Sequence, residues 1–226
     1  MAALLLSGLL PALIAAPATT PHATAGEGRV RALFFGDSLM EGVGARPEEP
    51  IMARTAAREL GWDVTVDAGP GTGYVNGGKH GRTYLTRLSR RGVLSTPYDV
   101  VLIEGGTNDL RADPAVMRTR TTQTVRYVRR RLPHATIVLM GAFNPDSRRY
   151  DARRALVDRV ISQVATEQSV PYFSPISGRW TDGQGPRFLS PDGLHPSTYG
   201  YGVMAGKLVA ALRAVRPVAP LAGRVA

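Results

Sequence analysis

The sequence contains no cysteine among its 226 residues. Disulfide bonds, thiolate metal sites and cysteine nucleophiles are therefore excluded as explanations of its stability or chemistry. The absence of cysteine is compatible with either an oxidising or a reducing compartment, so it leaves the location of the protein open.

Lysine is almost absent too, since only Lys79 and Lys207 occur and arginine carries nearly all of the net charge of +10. A basic surface attracts nucleic-acid phosphates. Here, however, the arginines are spread along the chain. Their densest cluster, within 126–131, falls on a predicted helix whose other side is apolar, which is typical of a solvated helix face. We expect no nucleic-acid partner.

No apolar run is long enough to cross a bilayer, which takes about 20 residues. The longest one, Met1–Ala16, is followed by the small-residue sites Ala16-Pro17-Ala18 and Ala23-Thr24-Ala25, as in a secretory signal. It lacks the Lys or Arg that usually precedes the apolar run of such a signal. We therefore expect residues 1–25 to be a signal peptide or a disordered leader. The protein is then secreted or extracytoplasmic, without a stable membrane anchor.

The length of the chain suits one well-buried domain and is too short for two of ordinary size. A hydrophobic fraction of 43% is ordinary for a globular protein and argues against extended disorder. We expect a single domain over residues 29–215, a flexible tail over 216–226, and a monomer.

Short β-branched or aromatic segments alternate along the chain with longer segments of helical period. The predicted strands are Arg31–Phe35, Trp62–Val66, Val100–Ile103, Thr136–Met140 and a short one near Tyr172. The predicted helices are Ile51–Leu60, about Arg82–Arg90, one that begins at Asp113-Pro114, Asp151–Glu167, and about Ser197–Val215. This alternation predicts a three-layer α/β/α sandwich around a central, mainly parallel five-stranded sheet.

Polar, glycine-containing segments follow the first three strands, and a fourth precedes the last helix. They are Gly36-Asp37-Ser38, Gly69–Gly73, Gly106-Thr107-Asn108-Asp109 and Asp192-Gly193-Leu194-His195-Pro196. In a doubly wound sheet the ligand crevice lies outside the carboxyl ends of the strands. The four segments are therefore expected to converge on one site.

The residue types in these segments suit acyl transfer. A serine hydroxyl is a weak nucleophile until a base takes its proton, and a histidine held by a carboxylate is a good base. Asp192 and His195 are three positions apart, so one turn can bring the two side chains together. Backbone N–H groups at Ser38 and in the glycine loop, with the Asn108 amide, are candidate donors to an oxyanion.

In order and spacing, these four motifs resemble the sequence blocks of the SGNH (GDSL-type) esterase and lipase family. The resemblance covers about Arg31 to Val215 and implies an SGNH hydrolase domain with a flavodoxin-like fold and no cofactor or metal. It implies Ser38 as nucleophile, His195 as base and Asp192 as the acid that orients the base. It also implies an oxyanion hole formed by Ser38, Asn108 and a glycine of the second block. The serine is not in the Gly-x-Ser-x-Gly elbow of other α/β-hydrolases.

The second block leaves a choice of glycines, because it lacks the asparagine with which the family often begins it. Gly71 is favoured, since Gly71-Thr72 best matches a glycine followed by a small polar residue, and Gly73 is the second choice. Candidate pocket residues near the crevice, several of which simple packing explains equally well, are Asp37, Gly73, Tyr74, Phe143, Asn144 and Trp180.

The favoured function is metal-independent hydrolysis of a carboxylic ester, with a short acyl or acetyl group on a small molecule or a carbohydrate. An acyltransferase with the same serine remains open, because it differs only in the acceptor of the acyl group. A binding module without catalysis is disfavoured, since every triad position is filled. A metal-dependent phosphoesterase is also less favoured, because its ligands would include few histidines. They would be Asp37, Asn108, Asp109, Asp192 and His195.

Overall fold

In a computed structural model that describes residues 29–90, 92–146 and 151–215, the chain forms a five-stranded parallel sheet. The expected leader and the expected tail lie outside these residues. The strands are β1 (Arg31–Gly36), β2 (Asp63–Ala68), β3 (Val100–Glu104), β4 (Thr136–Met140) and β5 (Tyr172–Phe173). Their order, β2-β1-β3-β4-β5, is that of the flavodoxin-like doubly wound sheet, so the predicted fold class is confirmed.

The central strands are buried on both faces. In β1, Ala32 and Phe34 pack into one hydrophobic core, whereas Leu33 and Phe35 pack into the other. Because successive side chains of a strand point to opposite faces, a continuous apolar run can supply two cores at once. The sheet therefore forms the middle layer of a three-layer sandwich.

Six α-helices among the described residues cover the two faces of the sheet. They are α1 (Ser38–Glu41), α2 (Ile51–Leu60), α3 (Tyr84–Leu88), α4 (Pro114–Arg131), α5 (Ala152–Glu167) and α6 (Thr198–Ala214). Helices α1, α2 and α6 pack on one face, and α3, α4 and α5 on the other. None of these helices combines the length and the apolar character needed to cross a membrane.

The predicted start of α4 is observed. The Asp113 carboxylate accepts the N–H groups of Ala115 and Val116 at 2.9 and 3.0 Å, and Pro114 occupies the first turn. Asp151 and Ser197 cap α5 and α6 in the same way.

Two predicted elements have different bounds in the structure. Strand β2 is shifted from the predicted Trp62–Val66 to Asp63–Ala68, because its pairing with β1 runs in register to the last pair, Gly36 and Ala68. The predicted helix over Arg82–Arg90 is shortened to α3, since Thr83 caps its beginning. The extension of β2 carries the chain directly into the glycine loop.

Helix α1 was not predicted from the sequence. It is a single turn in which the Asp37 carboxylate accepts the Leu39 N–H at 2.9 Å, and Gly42 ends it with a φ of +89°. The turn places Ser38 at the first position of a helix, directly after β1.

Candidate active site

The four predicted motifs meet at the carboxyl edge of the sheet. Ser38 follows β1, Gly71 follows β2, Asn108 lies in a short 3-10 helix after β3, and His195 precedes α6. All four residues line a cavity of about 190 Å³. One site is thus assembled from segments that are far apart in the sequence.

The predicted triad residues are within hydrogen-bonding distance of one another. The His195 Nε2 atom lies 2.9 Å from Ser38 Oγ, and its Nδ1 atom lies 2.7 Å from Asp192 Oδ2. This places the histidine between a hydroxyl and a carboxylate, which is the arrangement needed for general-base activation of a serine.

Asp192 keeps its charge in this arrangement. Burial alone would raise the pKa of its carboxyl group, but hydrogen bonds from His195, Leu194 and Ser190 outweigh burial and hold the pKa below its ordinary value. An ionised Asp192 can only accept a hydrogen bond, so the proton of the neutral imidazole is on Nδ1. The Nε2 atom is then free to accept the Ser38 proton.

The loop that carries the acid and the base is closed by its own backbone. Leu189 and Pro196 form an antiparallel bridge, and the Ser190 N–H donates to the His195 carbonyl at 2.8 Å. Asp192 Oδ1 accepts the backbone N–H of His195 at 2.9 Å. The three-residue spacing of acid and base thus corresponds to an Asx-type turn.

Gly44 allows this loop to approach the segment after α1. It has a φ of +94°, and a Cβ atom there would lie 2.8 Å from the His195 Cβ and 2.9 Å from the Pro196 carbonyl oxygen. A larger residue would therefore push the base away from the nucleophile.

Two backbone N–H groups of residues that line the cavity have no acceptor among the described residues. They belong to Ser38 itself, at the start of α1, and to Gly71. The Gly73 N–H instead donates to the Asn76 carbonyl at 2.8 Å, and Gly73 does not line the cavity. The geometry therefore favours Gly71 over Gly73 as a donor to an oxyanion.

Asn108 lines the cavity but already uses both amide hydrogens. Its Nδ2 atom donates to Asp37 Oδ2 and to the Thr72 carbonyl, both at 2.9 Å. These bonds orient the amide beside Ser38. A substrate oxyanion would have to share one of its hydrogens with these acceptors.

Beneath the nucleophile lies a buried carboxyl pair, Asp37 and Glu104. Both residues are fully buried, and Glu104 Oε2 accepts the Asp37 N–H at 3.2 Å. Glu104 Oε1 receives no N–H or O–H donor from the described residues. Gly36 is needed here for space, because a Cβ atom on it would lie 2.4 Å from Glu104 Oε2.

Burial shifts the pKa of both carboxyl groups upwards. Burial raises the pKa of Asp37 to about 6, although the Leu39 N–H and His195 oppose this rise. Burial and the nearby Asp37 also raise the pKa of Glu104 well above its ordinary value. Burial therefore disfavours a negative charge on either group, and their proximity disfavours charge on both at once.

Tyr74 is not a pocket residue, contrary to the expectation from sequence. Asp109 accepts the N–H groups of Tyr74, Val75 and Asn76 at 2.8 to 3.0 Å. These three hydrogen bonds fix the conformation of the glycine loop. The Tyr74 ring is fully buried and packs against Tyr84, with ring centroids 5.0 Å apart. Asp109 therefore shapes the loop rather than facing the cavity.

The other candidate pocket residues have separate positions. Phe143 lines the cavity and stacks on Phe188 at 6.2 Å. Asp37 lies behind the cavity, and Trp180 is in the hydrophobic core. Asn144 borders a neighbouring groove instead.

The described residues contain no group of three or more His, Asp or Glu side chains placed to hold a metal ion. Of the ligands in the metal-dependent alternative, Asp37 and Asp109 point into the protein and accept backbone N–H groups. Those two carboxylates are therefore already used to hold the backbone of the Ser38 turn and of the glycine loop.

Sequence reasoning missed two residues that support the site, Glu104 and Arg87. The sequence did contain an indication for Glu104, since it is a charged residue at the end of an otherwise apolar strand, directly before Gly105-Gly106. The sequence contains no indication for Arg87, because its role depends on partners that are distant in the sequence. Its guanidinium donates to the Gly36 carbonyl and to Thr72 Oγ1 at 2.7 and 2.8 Å.

The flavodoxin-like sheet and the Ser38, His195 and Asp192 arrangement define a hydrolase class without the nucleophile elbow. The sequence matches the GDSL-like lipase/acylhydrolase family over residues 34–203, and the chain belongs to that family. It is a hydrolase that acts on ester bonds.

Solved structures of other esterases have a similar fold. A family two carbohydrate esterase from Clostridium thermocellum, in complex with cellohexaose, has a TM-score of 0.63 and 23% identity over 81% of this chain and 63% of its own. An acetyl xylan esterase from the rumen bacterium Butyrivibrio proteoclasticus has a TM-score of 0.58 and 15% identity over 83% and 64%. A lipase from a goat rumen metagenome has a TM-score of 0.55 and 23% identity over 80% and 97%.

This chain thus spans less than two thirds of the length of the two carbohydrate esterases. At these identities the likeness shows a shared fold. No curated protein matches the sequence.

Proposed function

We propose that the protein hydrolyses esters of short carboxylic acids through a covalent acyl-enzyme on Ser38. The observation that carries this proposal is the continuous chain of contacts from Ser38 Oγ through His195 to Asp192, at 2.9 and 2.7 Å. Each contact has the donor and acceptor atoms that acyl transfer requires.

In the first half-reaction Ser38 Oγ attacks the ester carbonyl carbon while His195 Nε2 takes the hydroxyl proton. The carbonyl oxygen becomes an oxyanion, which accepts hydrogen bonds from the N–H groups of Ser38 and Gly71 and from the Asn108 amide. The protonated His195, stabilised by Asp192, then gives its proton to the alcohol oxygen. The carbon–oxygen bond of the ester breaks, the alcohol leaves, and the acyl group stays on Ser38.

In the second half-reaction water attacks the acyl-enzyme, with His195 as the base. The same donors stabilise the second oxyanion. Transfer of the proton from His195 to Ser38 Oγ breaks the acyl bond, regenerates the serine and releases the carboxylic acid.

A short acyl group is supported by the size of the cavity next to Ser38, which is about 190 Å³. A cavity of about 150 Å³ holds benzene, so acyl chains of up to about six carbons fit here. Phe143, Leu39 and Val43 give the cavity apolar walls. We therefore propose acetyl to butyryl esters as preferred substrates.

A carbohydrate as the alcohol part is supported by the fold likeness to the carbohydrate esterase solved with cellohexaose and to the acetyl xylan esterase. An acetylated sugar combines a small acyl group with a polar alcohol. This is compatible with an apolar cavity that opens beside the polar edge of the sheet.

The test is hydrolysis of 4-nitrophenyl esters of two to twelve carbons, alongside acetylated xylan, by the wild type and Ser38→Ala. We expect the highest kcat/KM between two and four carbons, and a loss of roughly 10⁴-fold or more in Ser38→Ala. Ser95→Ala is the matched control, because Ser95 is an exposed serine outside the cavity.

Equal turnover by Ser38→Ala and the wild type would show that Ser38 is not the nucleophile. A preference for acyl chains longer than eight carbons would instead contradict the proposed use of the cavity.

A further inference from the structure

A second concavity, of about 430 Å³, lies on the other side of the glycine loop from the Ser38 cavity. It is lined by the end of β2 and the residues that follow it, by the segment 77–82, and by Arg87 and Arg90 at the end of α3 and just beyond it. Pro70 lines both concavities. The two concavities therefore adjoin at Pro70.

The lining of the second concavity is strongly basic. Lys79, Arg82 and Arg90 are exposed side chains, and His80 lies among them. None of these four side chains has a hydrogen bond or an ion pair with another described residue. The concavity thus presents unneutralised positive charge towards the solvent.

The one acidic residue in the lining, Asp67, is already neutralised. Arg87 Nη2 contacts Asp67 Oδ1 at 2.5 Å, and the Arg87 side chain is only 6% exposed. Arg87 also donates to the Gly36 carbonyl at 2.7 Å. This buried pair fixes part of the lining and leaves the positive charge of the three exposed cations uncompensated.

Basic side chains are common on this protein, and among the described residues elsewhere a minority of them have acidic partners. Arg54, Arg118 and Arg154 each form an ion pair with a nearby carboxylate. The second concavity differs because its unpaired cations surround a recess. Several cations around one recess attract an anion more strongly than scattered surface charges do.

We propose that this concavity is a subsite for an anionic group, a carboxylate, sulfate or phosphate, carried by the ester substrate. The inference rests on the proposed function, because it places the bound ester at Ser38. The group would contact Lys79 and Arg82 directly, with Arg90 adding positive charge. The enzyme would then select acidic esters over neutral ones of the same acyl chain.

The kinetic test compares phenyl acetate with its anionic relative 3-acetoxybenzoate. In Lys79→Ala/Arg82→Ala we expect kcat/KM to fall roughly tenfold for the anionic ester and less than twofold for the neutral one, since hydrogen bonds between charged groups are among the stronger ones. The matched control, Arg58→Ala/Arg131→Ala, removes two exposed cations from α2 and α4 and should treat both esters as the wild type does.

A binding test separates this subsite from catalysis. Sulfate is titrated into Ser38→Ala at constant ionic strength, and amide chemical shifts are followed by NMR. We expect saturable shifts in residues 77–82, which disappear when Lys79 and Arg82 are also replaced and persist with the control pair.

The two tests have distinct failures. Absence of saturable sulfate binding, or equal losses for both esters, would overturn the subsite. Sulfate binding without any preference for the anionic ester would overturn its role in substrate selection, because a free anion alone would then occupy it. If the wild type hydrolyses neither ester, the proposed function fails, while the sulfate titration still decides whether the site binds anions.

Discussion

Two carboxyl-containing regions flank Ser38, and they differ in their contact with water. The Asp192 side chain, on the loop before α6, is 45% exposed. Asp37 and Glu104, beneath the nucleophile, are fully buried. At Asp192 burial alone would raise the pKa, but hydrogen bonds outweigh burial and lower it, whereas burial raises the pKa values of Asp37 and Glu104.

The difference shows that one functional group can have two roles in a single site. On the exposed side an ionised carboxylate stabilises charge on His195 during proton transfer. On the buried side Glu104 accepts a backbone N–H of the Ser38 turn and Asp37 accepts the Asn108 amide, which holds both in place. Substitutions at Asp192 should therefore change mainly the reaction rate, whereas substitutions at Asp37 or Glu104 should change both the rate and the stability of the fold.

The largest effect is expected from removing the base. His195→Ala should lower kcat by roughly 10⁴-fold or more, because no other group near Ser38 Oγ can take its proton. His134→Ala, which changes a histidine outside the cavity, is the control. Steady-state kinetics with a short-chain aryl ester measures both, and an active His195→Ala variant would contradict the assignment of the base.

Replacing the exposed acid should have a smaller effect. Asp192→Asn keeps the size of the side chain but removes its charge, and we expect a loss of roughly 10²- to 10⁴-fold in kcat. Water can partly substitute, since nearly half of the side chain is exposed. The same assay measures this, with Asp63→Asn as an exposed control on β2. A loss equal to that of His195→Ala would mean that exposure does not weaken the role of Asp192.

On the buried side, Asn108→Ala should reduce kcat roughly 10²- to 10³-fold with little change in KM, because an oxyanion donor acts mainly in the transition state. A thermal melt reports any loss of stability caused by the vacated contacts to Asp37 and Thr72. A rise in KM without a fall in kcat would indicate that Asn108 binds substrate rather than the oxyanion.

A smaller kinetic effect is expected from Glu104→Gln, which keeps a neutral donor of similar shape. Its kcat should stay within about tenfold of the wild type, whereas Glu104→Ala should lose more activity and roughly 2–4 kcal/mol of stability, because it leaves a cavity and unpaired polar groups. Equal losses of kcat and stability in Glu104→Gln and Glu104→Ala would contradict the need for a neutral hydrogen-bond donor at this position.

The smallest effect is a change in the pH dependence of stability. Folded Glu104, with its raised pKa, keeps a proton that the unfolded chain loses near pH 4.5, so its contribution to stability decreases as pH rises towards the folded pKa. The slope is up to about 1.4 kcal/mol per pH unit for one proton. Above about pH 4.5, Glu104→Gln should flatten this decrease.

Chemical denaturation of both proteins at several pH values measures that slope. Parallel curves for Glu104→Gln and the wild type would mean that Glu104 is ionised in the folded protein.

Much of the fold could be predicted from sequence, because β1, β3 and β4 are uninterrupted apolar runs bounded by glycine or polar residues. The Asp192 and His195 pairing could be predicted from their spacing, since it is a local turn. The buried side could not be predicted in the same way. The prediction that Tyr74 lines the pocket was wrong, because its position depends on a hydrogen bond to Asp109, 35 positions away, which the sequence does not reveal. The contact of Glu104 with Asp37 spans 67 positions.

The central claim is that Ser38 forms the covalent bond to the acyl group. Its most direct test is mass spectrometry of the protein after treatment with a short-chain aryl phosphonate ester, a mimic of the tetrahedral intermediate. We predict one adduct per chain, located on the peptide that contains Ser38, formed far more slowly in His195→Ala and absent in Ser38→Ala. Ester turnover without such an adduct, or an adduct on another residue, would contradict the claim.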